Sequence, residues 1–172
     1  MADRGMTRPF SPTLEAMTET AIAILSQDPD GFFLMVEAGQ IDWAGHANDA
    51  ANAVSDTLGL DRAVAVAQSY AAGRDDVLLV VTADHETGGM SVSTSATGVS
   101  GEDGPFHMPD GTPFYVTWAT TGHTSADVPV TAQGKEASSL VGAYENTYIY
   151  DVMDRALLDW TVWLPVVGRE GS

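Results

Sequence analysis

Two short apolar runs constrain this fold more than any other feature. "FFLMV" (32–36) is followed by Glu37, Asp42 and His46, and "VLLVV" (77–81) is followed by Asp84 and His85. A short continuous apolar run is the pattern of a strand covered on both faces. Carboxylates beyond such a strand are costly to bury unless they are paired or bound to a cation. The runs therefore predict two buried strands, each ending in a polar cluster.

The segments between the runs read as helices. Ser11 and Pro12 are a cap and first-turn pair. Leu14, Met17, Ala21, Ile24 and Leu25 form one apolar face, which predicts a helix to about Ser26. "QDPDG" (27–31) is a turn. Residues 48–72 are alanine-rich and helical, with an interruption at Gly59 and a stop at Gly73. Residues 93–113 are rich in Gly, Ser, Thr, Pro and Asp and read as a long surface excursion. "PFYVTWAT" (113–120) reads as a strand. Asn146 or Thr147 can cap a last helix with Ile149, Val152, Met153, Ala156, Leu157 and Trp160 on its buried side. Strands alternating with helices indicate an α/β layered sandwich with a mostly parallel central sheet. Sites in such sheets form beyond the carboxyl ends of the strands, where both polar clusters lie.

The chain's 172 residues suit a single domain. Its 24 acidic and seven basic residues give a net charge of −17, which disfavours nucleic acid and anionic membranes as partners. An acidic, lysine-poor surface also suits concentrated salt, so a halophilic source is expected. With no cysteine, any metal must be held by His, Asp and Glu. No apolar run approaches membrane-spanning length, and "MADRGMTRPF" has no secretory apolar core.

Asp42 and His46 stand four apart, so one helical turn puts them on the same face, as in helical zinc motifs. Alone, this spacing is weak, and His46 is as simply a surface histidine at a helix N-terminus. In "TADHETGG", Asp84 and His85 fit a metal through their donor types, or a capping aspartate beside a backbone-bonded histidine. His123 in "TTGHTSADVPV" is a loop histidine without meaning by itself, and His107 in the excursion reads as a surface residue.

The ordered set E-x4-D-x3-H, T-A-D-H and T-G-H-T before V-P resembles the alkaline phosphatase family, from about Leu14 to Leu158. The resemblance implies that Asp42, His46 and His123 hold one zinc and that Asp84 and His85 contribute to a second. It implies a nearby magnesium on Glu37 and places Trp43 in the lining of the phosphate pocket. The implied reaction is hydrolysis of small-molecule phosphate monoesters, with two zinc ions about 4 Å apart stabilising the attacking and leaving oxygens. The family's N-terminal half carries the serine nucleophile, a phosphate-clamping arginine and further metal ligands. No Asp-Ser-Ala motif occurs in this chain. The chain thus resembles a single partial domain over 1–172, the C-terminal half of the family fold, with the other half supplied in cis or in trans. The family implies export to the periplasm or beyond and a possible homodimer. A non-catalytic zinc-binding remnant, or a related phosphodiesterase or sulfatase, are the other readings.

Overall fold

Helices dominate the first half of the computed structural model, which describes residues 12–158. Helix α1 (Leu14–Leu25) is capped by Thr13, whose hydroxyl accepts from the Ala16 N–H. The cap therefore lies later than the Ser11–Pro12 pair suggested, and Ser11 is outside the described residues. The buried side of α1 keeps part of the expected face, with Leu14, Ala21 and Leu25 partly covered. Thr18 and Ile22 are buried, whereas Met17 and Ile24 are exposed. Two apolar stripes are present on this helix, and only the one against α3 is covered. Thr18 is tolerated there because its hydroxyl donates to the Leu14 carbonyl at 2.8 Å.

Helix α2 (Gln40–His46) leads into α3 (Ala50–Ala71). The Asp49 side chain caps α3 by accepting from the Asn52 N–H at 2.9 Å. Gly59 does not interrupt α3, which runs through it without a break; one glycine costs an interior helix only about 1 kcal/mol. Gly73 follows the helix end at a φ of 73°, as the stop signal required. Both α1 and α2 pack on α3. Their meeting surfaces are small: Ala44, Ala50, Ala63 and Ala71 are buried, which lets the helices approach closely.

The strands are short and antiparallel. β1 (Leu78–Val81) pairs with β7 (Thr131–Gly134), β2 (Glu86–Thr87) with β6 (His123–Thr124), and β5 (Pro113–Thr117) lies between β3 (Ser91–Ser93) and β4 (Asp103–His107). The excursion thus contributes β4, with His107 exposed at its end. The mostly parallel central sheet is not formed among the described residues. "VLLVV" supplies β1, as expected, but with an antiparallel partner. "FFLMV" forms no strand, since no hydrogen-bonded neighbour flanks it among the described residues. Its burial alternates: Phe32, Leu34 and Val36 are half-covered, while Phe33 and Met35 are exposed at 59% and 77%. Phe32 meets the Tyr70 ring of α3 at 6.0 Å.

A 3-10 turn at Ala137–Ser139 precedes the last helix, α4 (Thr147–Leu157), with Asn146 at the cap position. Val152 is fully buried, and Ile149, Met153 and Ala156 are partly covered. Leu157, expected on the buried side, is 46% exposed, and Trp160 lies outside the described residues. No described helix is long and apolar enough to cross a membrane.

Candidate metal centre

Helix α2 carries two of the expected ligands. Its i, i+4 geometry puts His46 Nε2 3.4 Å from Asp42 Oδ2. The helix is seated by its small residues. Ala44 is fully buried, and a Cβ on Gly45 would stand 3.0 Å from the Thr87 side chain. Asn48 has a φ of 52° and closes the helix. With its amide nitrogen turned inward, Asn48 donates to the carbonyls of Gly45 at 2.9 Å and Thr120 at 2.8 Å.

The β2–β6 pairing brings in His123, and His85 directly before β2. Its register sets Thr87 opposite His123 and Glu86 opposite Thr124. Because side chains alternate along a strand, His123 and Thr87 share one face and Glu86 and Thr124 the other. His123 Nε2 lies 3.1 Å from His46 Nε2 and 3.6 Å from Asp42 Oδ1. The His85 ring stacks on His123 at 3.5 Å between centroids. Asp42, His85 and His123 also bring one ligand atom each to within 4.8 Å of one another.

Neighbouring groups set the tautomers of two of these histidines. His46 Nδ1 donates to the Thr121 carbonyl at 2.6 Å, which leaves Nε2 with the lone pair. The Thr87 hydroxyl donates to Asp42 Oδ1 at 2.6 Å, so it accepts from His85 Nδ1 at 3.2 Å. His85 Nε2 is thereby left with its lone pair as well. Holding the non-ligating N–H of an imidazole is the usual way to orient a metal ligand.

Other expected residues stand apart. Asp84 Oδ2 lies 3.4 Å from His85 Nε2, but its side chain is 89% exposed at the rim. Glu37 is exposed, with Oε1 turned back to 3.3 Å from where a Cβ on Gly39 would be. Trp43 follows Asp42 on α2 and is 44% exposed. Thr87 and Glu86 were not among the expected site residues. The signal for Thr87 was its position two residues after His85, on the same face of a strand. Glu86 accepts the Gly89 N–H at 2.9 and 3.1 Å and the Thr124 hydroxyl. The Thr124 hydroxyl foremost, with the backbone N–H groups of Gly89 and Met90, holds its carboxyl below the ordinary value of 4.5.

The family model for alkaline phosphatase matches residues 3–110 and 111–158. The chain belongs to the alkaline phosphatase family. Alkaline phosphatase H of Pseudomonas aeruginosa is 31% identical over 151 residues, covering 85% of this chain and 32% of that enzyme. The alkaline phosphatase of the Antarctic bacterium TAB5 superposes with a TM-score of 0.70 at 35% identity, over 90% of this chain and 41% of that one. A TAB5 alkaline phosphatase mutant with Mg bound in its M3 site gives the same TM-score at 33% identity. The chain therefore spans well under half the length of these alkaline phosphatases.

Proposed function

We propose that this chain is the metal-binding part of a phosphomonoesterase, with Asp42, His46 and His123 as the ligands of one zinc. The spacing of their donor atoms carries this reading. Ligands of a tetrahedral zinc at roughly 2.0–2.1 Å from the ion stand about 3.3 Å apart. The two imidazole donors are 3.1 Å apart, and each has an Asp42 oxygen near that spacing, Oδ2 at 3.4 Å from His46 Nε2 and Oδ1 at 3.6 Å from His123 Nε2, with the His46 lone pair facing inward. Three protein ligands leave the fourth position open, as in catalytic rather than structural zinc sites.

His85, stacked on His123, and Asp84 at the rim would contribute to a second zinc, and Glu37 to a magnesium. These cations supply the positive charge that draws and polarises a phosphate monoester toward a chain of net charge −17. The chain's own residues orient the donors. The Thr121 carbonyl holds the His46 proton on Nδ1, and Thr87 ties Asp42 to His85. Trp43, exposed beside Asp42, would line the approach of the phosphate.

The nucleophile and remaining ligands would come from polypeptide outside these residues, in cis or in trans. Two observations support this: the chain covers 41% of the TAB5 enzyme, and the 32–36 run has no strand beside it among the described residues. The test is zinc titration of the chain against a competing chelator, with phosphate-ester hydrolysis by the longer polypeptide as the second readout. Uptake of zinc, abolished by His123→Ala, together with chelator-sensitive hydrolysis is the expected result. A chain that takes up no zinc would overturn the reading.

A further inference from the structure

The face of the β2–β6 pair opposite the donors holds a clasp that the proposed metal chemistry does not use. Glu86 receives the Gly89 N–H on both carboxylate oxygens and the Thr124 hydroxyl on one of them. These donors come from two different segments. Gly89 belongs to the turn that ends the first, and Thr124 directly follows His123 on the second. Glu86 itself directly follows His85. One half-buried carboxylate therefore joins the two backbones that carry the stacked imidazoles.

The pairing it secures is short. β2 and β6 are two residues each, and a ladder of that length has little stability of its own. Apart from the ladder, the backbone links all pass through one residue: the Gly88 N–H donates to the Gly122 carbonyl at 2.9 Å, and the Gly88 carbonyl accepts from Ala119 and Thr120 N–H at 2.9 and 3.1 Å. The turn is also tightly fitted, since a Cβ on Gly89 would stand 2.8 Å from Ala119 Cβ and 3.6 Å from Thr124 Cγ2. Charge-assisted bonds to a carboxylate are roughly twice as strong as neutral ones, so Glu86 contributes more than the neutral bonds beside it.

We infer that Glu86 is a positioning residue, whose clasp to Gly89 and Thr124 holds the His123 ring against His85 and so sets the donor spacing of the metal centre. It touches neither donor ring with its carboxylate and acts through the backbone of both strands. The inference rests on the zinc-binding reading for its functional consequence. Its geometric content, the His85–His123 stack, stands without metal.

Two readouts on the metal-free and zinc-loaded chain separate these layers, using Glu86→Ala, Glu86→Gln and Thr124→Val. The first is histidine ring-proton NMR of the metal-free protein, where stacking at 3.5 Å shifts the His85 and His123 resonances. Glu86→Ala is expected to move both toward unstacked values, Thr124→Val to move them part of the way, and Glu86→Gln to preserve them. Gln keeps an oxygen for Gly89 and a group for the threonine hydroxyl. The second is zinc affinity by chelator competition, expected to fall about 10–100-fold in Glu86→Ala and to be largely rescued in Glu86→Gln. If the parent chain binds no zinc, the metal reading fails, and the NMR comparison alone decides the clasp. Unshifted histidine resonances in a folded Glu86→Ala would overturn the inference. Should Glu86→Ala not fold, Thr124→Val decides: unchanged resonances overturn the inference and shifted ones support it.

Discussion

The runs 77–81 and 32–36 share one sequence pattern, an apolar stretch followed by a polar cluster, and end in opposite states: 77–81 is the paired strand β1, leading into the loop 84–90. Within 84–90, Thr87 bonds Asp42 and His85, Glu86 bonds Gly89 and Thr124, and the Gly88 carbonyl receives Ala119 and Thr120 N–H groups. The run 32–36 has no flanking strand among the described residues, and Phe33 and Met35 are exposed there. Apolar content alone therefore does not decide whether a segment becomes structured. A strand needs a partner for its backbone groups, and the described chain provides one for β1 and β2 but not for 32–36.

The contrast can be broken most severely at the donors. His123→Ala should abolish zinc uptake while leaving the urea midpoint of the metal-free chain nearly unchanged, because His123 is exposed. A chain that still takes up zinc as tightly would remove His123 from the ligand set. Next in size is Gly88→Ala. Its φ is 93°, and a Cβ there would lie 2.6 Å from the Trp118 ring, so a loss of about 2–3 kcal/mol is expected by urea denaturation. A loss below 1 kcal/mol, on the order of a single lost hydrogen bond, would mean the loop is looser than its contacts indicate.

Acid should loosen the same loop before it affects 32–36. The folded-state pKa of Glu86 lies below its ordinary 4.5, so its stabilising effect is complete above that value. It is lost as pH falls through the lower folded-state value. The urea midpoint followed downward from pH 6 should therefore drop below pH 4.5, and Glu86→Gln should flatten that drop. An equal drop in Glu86→Gln would assign the acid sensitivity to other carboxylates. The smallest effect is expected at the open run, where Phe33→Thr with Met35→Thr should change stability by less than about 0.5 kcal/mol per site. A larger loss would show that the run is covered in solution, and a matching change in the oligomeric state would identify the cover.

Local patterns made part of this legible beforehand. The Asp42–His46 pairing was readable because four residues make one helical turn, and α3 because its composition is helical, although the break expected at Gly59 does not occur. The α1 face was legible only in part, through Leu14, Ala21 and Leu25, because Met17 and Ile24 also recur at helical spacing and only packing chooses between two apolar stripes. The expected parallel sheet is not formed among the described residues: pairing direction depends on which strands meet, which short apolar runs do not specify.

What the sequence by itself determined is the inventory: which donors exist, that none is a thiol, and that Asp42 and His46 share a helix face. Tertiary structure alone decided that His123 joins them and that His85 stacks on it. The register of β2 against β6 places Thr87 opposite His123 and Glu86 opposite Thr124, across a separation no local propensity spans. A shift of one residue would exchange the two faces, moving the imidazole to the clasp side and the clasp to the donors.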